Sequence, residues 1–330
     1  QRWASQHPPL PPTHPFTHKT ILVTGANTGV GFHAALKFAA LDAAHLILAV
    51  RTPAKGAVAK ARILESRPSV RITVLRLDLE SFASVREFLR ALDETLQKED
   101  NGVLDVALLN AGIAAPRYSV NKQTGWESAL QVNVLSTAML AVGLMPILRR
   151  RVSVVGEPAQ MTFTGSVGHV FVQPGQIPVS SPGERGLLGV VSSKEFFDIE
   201  GSYCVIKLLG MYVMRGLVDE YASASGGEVQ VFVNAACPGF CVTDLGREFP
   251  WYMVWITKVL HWYSARTAEE GSRSLVSAAL LGAEGHGRFW VNDGFPGPAE
   301  MLTSPEGREL QAKLWGEIRA ICVRELARRG

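Results

Sequence analysis

Two side chains at helical spacing could carry proton-transfer chemistry in this sequence. Tyr203 and Lys207 lie four residues apart in a predicted helix over about 203–222, so they share one face of it. Tyrosine has a reference pKa of about 10, and a neighbouring ammonium group favours its ionised form. Such a pair could give a proton to the alkoxide that forms when hydride reduces a carbonyl group. Ser166, at the end of a predicted strand, could hold the carbonyl oxygen by a hydrogen bond, although a lone serine there is more often a turn residue.

The same spacing occurs a second time, at Tyr118 and Lys122. This second pair directly follows the small-residue turn at 110–112 and precedes a predicted helix, and no strand that ends in serine comes before it. The pair at Tyr203 comes after Ser166 and before the next predicted strand, 229–235. We therefore interpret the second pair as a chance match.

A glycine-rich turn near the N-terminus predicts a phosphate-binding loop. The apolar run 21–23 is typical of a strand buried on both faces, three glycines follow at Gly-x-x-x-Gly-x-Gly spacing, and a helix is predicted over 32–40. The N-terminus of a helix presents free N–H groups and the positive end of its dipole, and glycines let a phosphate approach them. The alternative is a glycine-rich connection that binds no nucleotide. The loop residues that could contact a nucleotide are Gly25, Asn27, Thr28, Gly29, Val30 and Gly31.

The end of the second predicted strand, 45–50, indicates which dinucleotide would be held. An NAD-binding protein would place Asp or Glu there to bond the ribose hydroxyls. Here Val50 takes that place and Arg51 follows. A guanidinium group matches a 2′-phosphate with paired, charge-assisted hydrogen bonds, so NADP(H) is favoured. The alternative is a surface arginine at a strand end.

Polar or small residues also follow the next two predicted strands. Asp78 ends the third strand, 70–77, and could equally be a solvated acid that starts the helix 82–98. The turn at 110–112 follows the fourth strand, 104–109, and its small residues would let the backbone pass close to a ribose. The later predicted elements are a helix over 124–150, strands over 159–164, 229–235 and 287–293, and a helix over 304–326.

These motifs, in this order, resemble the short-chain dehydrogenase/reductase family over about residues 19–295. The segments NTGVG, AVR and LWGEI are similar to its retinol-dehydrogenase-like branch, and GWESALQVNVLST resembles fungal members of secondary-metabolite pathways. The resemblance implies an α/β fold, with a doubly wound, Rossmann-like parallel sheet of about seven strands in a single three-layer αβα domain. It also implies NADPH-dependent reduction of a ketone or aldehyde on a hydrophobic small molecule. The rivals are a non-redox cyclase or isomerase on the same scaffold and a nucleotide-sensing binding protein.

The resemblance also implies roles for individual residues. Asn133 would hold a water in the proton relay, although an Asn among apolar neighbours usually bonds nearby backbone. The implied catalytic residues are Asn133, Ser166, Tyr203 and Lys207. The implied cofactor-binding residues are Gly25, Asn27, Thr28, Gly29, Val30, Gly31, Arg51, Asp78, Leu79, Asn110, Ala111, Gly112, Tyr203, Lys207, Pro238, Gly239 and Thr243.

Three segments lie outside the motifs that carry the resemblance. Residues 1–18 are rich in Pro and His and predict an extended arm, on the surface or disordered, in front of a domain over 19–330. An insertion over about 168–201 is expected to bulge from the substrate side. A second insertion, 245–265, contains the aromatic stretch 250–263, for which a substrate lid is favoured over core packing or a membrane-surface patch.

Composition bounds the partners. The chain has 330 residues and a net charge of +3 from scattered charges, which argues against nucleic acid. Its four cysteines show neither metal nor disulfide spacing, which suits a reducing compartment and predicts a cytoplasmic protein without a metal site. No uninterrupted apolar run reaches the roughly 18 residues that span a bilayer. We expect a hydrophobic small-molecule substrate; a homodimer stays open, and membrane-surface contact is less favoured.

Overall fold

The computed structural model describes residues 14–178, 185–224, 226–239, 241 and 266–328. Seven parallel strands form one sheet in the order β3-β2-β1-β4-β5-β6-β7, which confirms the predicted fold class. The order reverses between β1 and β4, so a crevice opens at the carboxyl ends of these two strands. The strands are β1 (Thr20–Thr24), β2 (His45–Val50), β3 (Arg71–Arg76), β4 (Val106–Leu109), β5 (Ala159–Thr164), β6 (Val231–Cys237) and β7 (Phe289–Val291).

Helices cover both faces of the sheet. Alternate side chains of β1 enter two different cores: Ile21 and Val23 pack with the helices of one layer, and Leu22 packs with those of the other. This explains the unbroken apolar run in that strand. The helices are α1 (Gly29–Ala40), α2 (Pro53–Ser66), α3 (Phe82–Glu99), α4 (Ser128–Val155), α5 (Gly186–Val191), α6 (Ile199–Tyr221), α7 (Ala268–Ala278), α8 (Gly282–Gly285), α9 (Glu300–Thr303) and α10 (Pro305–Ala327).

Two of these helices are long and apolar enough to cross a membrane by length and composition. They are Ser128–Val155 and Gly201–Tyr221, with 83% and 56% of their most apolar windows buried inside the protein. The sequence expectation concerned uninterrupted apolar runs, and mean hydropathy tolerates the polar residues that interrupt such runs in these two helices. Both helices supply core residues of the layer that packs against Leu22, which accounts for their apolar character.

The described part of the N-terminal arm is packed against the domain. Phe16 is fully buried, and its ring meets the edge of Phe38 on α1 at 4.8 Å between centroids. Thr17 forms an isolated antiparallel bridge with Ala43. Around the buried Phe16, the arm residues His14, Thr17 and His18 are exposed, so the described part of the arm lies on the surface and is anchored through one ring. Residues 1–13 lie outside the described part.

The first insertion is docked on the C-terminal helix where the structure describes it. Both oxygens of the Glu317 carboxylate on α10 accept hydrogen bonds, at 2.9 Å each, from the backbone N–H groups of Leu187 and Leu188 at the start of α5. Glu306 likewise accepts from the N–H of Gly175 at 2.6 Å. Where it is described, the insertion is thus anchored to the domain, because several of its apolar residues join the core. These are Val172, Ile177, Leu187, Leu188 and Val191. The placement of the insertion on the substrate side stays a prediction.

Candidate active site

The glycine loop leaves the N-terminus of α1 open toward the crevice. Gly25 and Gly29 adopt left-handed backbone conformations, with φ of +68° and +57°, which glycine adopts without steric cost. Helix α1 begins at Gly29, and the hydroxyl of the preceding Thr28 does not bond its first N–H groups. These N–H groups and the helix dipole can receive an anion.

The loop packs closely against the turn that follows β4. A Cβ atom added to Gly31 would come within 2.5 Å of the Gly25 carbonyl oxygen and also clash with the side-chain amide of Asn110. A Cβ on Gly25 would approach the Cα of Ala111 to 3.0 Å. Glycine is therefore needed at both positions for the loop to keep its place.

Thr24 fastens this turn to β1 and was missed by the sequence analysis. Its hydroxyl oxygen accepts hydrogen bonds from the backbone N–H groups of Asn110 (2.9 Å) and Ala111 (3.0 Å). The Asn110 amide donates to the Thr24 carbonyl oxygen at 3.1 Å. The signal in the sequence was a threonine at the end of an apolar strand, because a hydroxyl group that is buried there needs a hydrogen-bond partner.

Tyr203, Lys207 and Ser166 converge at the carboxyl ends of β5 and β6. The Lys207 ammonium lies 5.6 Å from the centroid of the Tyr203 ring and 3.5 Å from the Thr164 carbonyl oxygen. A Cβ built on Gly168 would lie 3.3 Å from the Ser166 hydroxyl oxygen and 3.4 Å from a ring carbon of Tyr203. The serine hydroxyl and the tyrosine ring therefore both lie beside Gly168, which brings the two side chains close together.

A small cavity adjoins this group. Its volume is about 40 Å³, and Asn110, Asn133, Thr164 and Lys207 are among its lining residues. These polar walls and this volume are sufficient to hold a water molecule. The Asn133 side-chain amide accepts from the Ile113 N–H and donates to the Ile113 carbonyl oxygen, both at 2.8 Å. The side chain thus bonds nearby backbone, and its role beside a relay water stays a prediction.

Arg51 lies at the end of β2, where a 2′-phosphate site was predicted. Its guanidinium forms a 2.9 Å ion pair with Glu80, a residue that the sequence analysis did not consider. Ser81 caps α3 by accepting from the Ser84 N–H, so the alternative that Asp78 starts this helix is wrong. The Asp78 carboxylate instead accepts from the Glu80 N–H at 3.1 Å. Leu79 between them is buried.

The segment after β6 is described only in part. Gly239 has φ of +81°, and the Pro238 carbonyl oxygen accepts from the Cys241 thiol (3.2 Å) and the Arg266 guanidinium (3.3 Å). The predicted cofactor contact Thr243 and the aromatic stretch 250–263 lie outside the described residues.

The two Tyr-x-x-x-Lys pairs differ in setting. Tyr203 and Lys207 lie on α6, whereas Tyr118 and Lys122 lie in the connection that precedes α4. The Tyr118 hydroxyl donates to the Ser192 carbonyl oxygen at 3.1 Å, which ties this connection to the first insertion. This bond gives Tyr118 a structural role, which agrees with the interpretation that its Tyr-x-x-x-Lys spacing is a chance match.

His169, which the sequence analysis also missed, contacts the backbone carbonyl group of Ser166. Its Nδ1 lies 2.7 Å from the Ser166 carbonyl oxygen, and its ring meets the edge of Phe289 at 4.7 Å. Burial lowers the pKa of His169, against the opposing effect of the Ser166 carbonyl. The neutral ring with its proton on Nδ1 can donate to that carbonyl, so we interpret His169 as a positioning residue for Ser166.

Two substitutions of His169 should separate this hydrogen bond from ring packing. His169→Phe keeps an aromatic ring but loses the donor, and should lower kcat about fivefold, the equivalent of about 1 kcal/mol for one hydrogen bond. His169→Asn places an N–H near the position of Nδ1 and should retain most of kcat. Steady-state kinetics test this, with the dissociation constant for NADPH expected to be unchanged. Equal kcat values for the two variants would contradict the proposed role.

Comparisons with known proteins agree with this geometry. The family model described as short chain dehydrogenase matches residues 19–166. Short-chain dehydrogenase/reductase ffsI of Aspergillus flavipes is 43% identical over 320 residues, covering 96% of this chain and 89% of that protein. Short-chain dehydrogenase/reductase phmF of Phaeosphaeria nodorum is 38% identical over 320 residues, covering 96% and 90%.

A solved structure shares the fold. The RhlG/NADP active-site complex of Pseudomonas aeruginosa matches with a TM-score of 0.62 at 22% identity, covering 86% of this chain and 98% of that one. Both curated relatives come from fungi, as the sequence resemblance predicted. Since the similarity extends over nearly the whole of this chain and of its curated relatives, the protein belongs to the short-chain dehydrogenase/reductase family of oxidoreductases.

Proposed function

We propose that this protein is an NADPH-dependent reductase of a ketone or aldehyde on a hydrophobic small molecule. The observation that carries the proposal is the convergence of Ser166, Tyr203 and Lys207 at the carboxyl edge of the sheet. Lys207 lines a cavity together with Asn110, against which the glycine loop packs. We further propose a secondary-metabolite intermediate as substrate, on the sequence resemblance alone. A cytoplasmic location is proposed because the spacing of the four cysteines matches no disulfide framework, which suits a reducing compartment.

The residues present fit NADP(H). The open N-terminus of α1 suits the pyrophosphate, and Gly25 and Gly31 let the backbone approach it. Arg51 at the end of β2 suits the 2′-phosphate. The solved RhlG structure is an NADP complex, which supports the same assignment here. When bound, NADPH supplies the hydride.

The protein's own groups would handle the oxygen and the proton. The Ser166 hydroxyl donates a hydrogen bond to the carbonyl oxygen and fixes its position. As the carbonyl carbon gains hydride, the Tyr203 hydroxyl gives its proton to that oxygen, and an alcohol is formed. Lys207 stabilises the tyrosinate by its charge. A water in the adjoining cavity could return the proton to Tyr203.

An apolar surface beside Ser166 and Tyr203 supports a hydrophobic substrate. Val167, Val170 and Phe171 follow Ser166 in a short 3₁₀ helix, and Ile199 lies one helical turn before Tyr203. All four are exposed, and Phe171 keeps 67% of its surface accessible. Apolar side chains left exposed around a reactive group favour an apolar ligand.

The proposal is tested by mixing the protein with NADPH and a panel of hydrophobic ketones and aldehydes. Loss of NADPH absorbance that matches alcohol formation would support it. Conversion of a substrate without loss of NADPH would favour the cyclase or isomerase, and binding of NADPH without any turnover across the panel would favour the sensor.

Arg51→Ala should remove most of the preference for NADPH. We expect the wild-type protein to use NADPH at least about tenfold better than NADH in kcat/KM, which corresponds to roughly 1.4 kcal/mol. The loss follows from removal of the guanidinium that would bind the 2′-phosphate. Arg90→Ala is a matched control, because Arg90 is another exposed arginine in a 2.9 Å ion pair, with Glu94 on the same helix. Equal or better use of NADH by the wild-type protein would refute the assignment.

A further inference from the structure

Arg51, which we propose binds the 2′-phosphate, already forms an ion pair with Glu80 of the same chain. The guanidinium Nη1 of Arg51 lies 2.9 Å from a carboxylate oxygen of Glu80, and both side chains are about half exposed, at 55% and 49%. A 2′-phosphate that binds Arg51 must share this guanidinium with the carboxylate or displace it. This competition lowers the affinity for NADPH but not for NADH, which carries no 2′-phosphate.

The carboxylate is presented by a fixed stretch of backbone. The Glu80 N–H donates to the Asp78 carboxylate at 3.1 Å, and the Glu80 carbonyl oxygen accepts from the Asn121 amide at 2.9 Å. Asn121 is itself buried, and its side-chain oxygen accepts from the N–H groups of Gln123 and Thr124. The backbone of Glu80 is therefore held on both sides, whereas its half-exposed side chain is held by the ion pair with Arg51.

The wider charge pattern at this corner is balanced. Arg76, at the end of β3, is the neighbour of Val50 in the parallel pairing of β2 and β3, so it lies close to Arg51. Its guanidinium is 3.7 Å from the Asp78 carboxylate. Each of these two arginines is thus paired with an acid, so a carboxylate offsets the positive charge that Arg51 could offer to a phosphate. An exposed ion pair contributes little to stability, so the Arg51–Glu80 pair can open.

We propose that Glu80 is a specificity-determining residue that competes with the 2′-phosphate for Arg51 and so limits the preference for NADPH over NADH. This inference rests on the proposed use of NADP(H). Because like charges placed together oppose binding, neutralising Glu80 should strengthen NADPH binding and leave NADH binding nearly unchanged. The gain should shrink at high salt, since both side chains are exposed.

The test measures dissociation constants by nucleotide fluorescence titration and needs no substrate. Glu80→Gln should tighten NADPH binding about fivefold at low salt, while NADH binding changes less than about twofold. Glu94→Gln is the matched control, because it neutralises an exposed glutamate in an equally short arginine pair on α3. That variant should bind both nucleotides as the wild-type protein does.

A double substitution shows whether Glu80 acts through Arg51. In the Arg51→Ala background, Glu80→Gln should change NADPH affinity by less than about twofold, since no guanidinium remains to be released. An equal gain in both backgrounds, or unchanged NADPH affinity in the folded Glu80→Gln variant, would overturn the inference while leaving the proposed function intact. Failure of the wild-type protein to bind either nucleotide would overturn both.

Discussion

Replacing Tyr203 by phenylalanine should lower kcat roughly 10²-fold or more, because the group that gives its proton to the carbonyl oxygen is lost. NADPH affinity should stay within about twofold, since the ring and its packing are retained. Single-turnover loss of NADPH absorbance with a ketone that the wild-type protein reduces measures the chemical step, and fluorescence titration measures binding. A kcat within about threefold of wild type would remove Tyr203 from the proton transfer.

Tyr118→Phe is the matched control for this experiment. The substitution is chemically the same, but the Tyr118 hydroxyl donates to the Ser192 carbonyl oxygen in the connection before α4. We expect unchanged kcat and a loss of about 1 kcal/mol in the free energy of unfolding, the contribution of one hydrogen bond. An inactive Tyr118→Phe variant together with an active Tyr203→Phe variant would mean that the site has been placed wrongly.

Replacing Gly31 by alanine should weaken NADPH binding roughly 10²-fold, which corresponds to about 2.7 kcal/mol. The new methyl group would meet the Gly25 carbonyl oxygen at 2.5 Å, and this backbone atom cannot move without displacing the loop from the start of α1. The methyl group would also clash with the Asn110 side-chain amide. Titration with NADPH tests binding, and thermal unfolding separates a local change from a general loss of structure.

Gly316→Ala provides the control for Gly31→Ala. Gly316 lies on an exposed face of α10, and among the described residues no heavy atom outside its chain neighbours and the nearby backbone of its own helix lies within 4 Å of an added Cβ. This substitution should leave NADPH binding unchanged and raise stability by up to about 1 kcal/mol, because alanine favours a helix. Comparable loss of binding in both variants would show that the tight packing at Gly31 is not the cause.

Local patterns were enough to predict the sheet and the elements that face the crevice. The apolar run of β1, the glycine spacing and the positions of Ser166 and Tyr203 relative to the strands all belong to short stretches of sequence. Some local signals were overlooked. Thr267 and Glu270 form a capping box at the start of α7, and Pro53 occupies the first turn of α2. Both helices could have been predicted from these residues.

The remaining contacts depend on residues far apart in the chain. Nothing near Arg51 in the sequence indicates that Glu80 pairs with it, because their contact follows from the side-by-side placement of β2 and β3. His169 lies near Ser166 in sequence, yet its donor role depends on burial against Phe289 of β7. Phe16 looked like part of a polar arm because its partner, Phe38, is supplied by α1.

The hydrogen bonds between carboxylates of α10 and the first insertion also imply an order in which parts of the protein fold. Glu317 follows its partner Leu187 by 130 residues, and Glu306 follows Gly175 by 131. During synthesis the glycine loop, Arg51, β5 and Ser166 leave the ribosome well before either acceptor has been made. Contacts between residues this far apart in sequence form late in folding, because closing the long intervening loop costs conformational entropy. The nucleotide-facing half can therefore take shape first, and the insertion gains its anchor only when the last helix arrives.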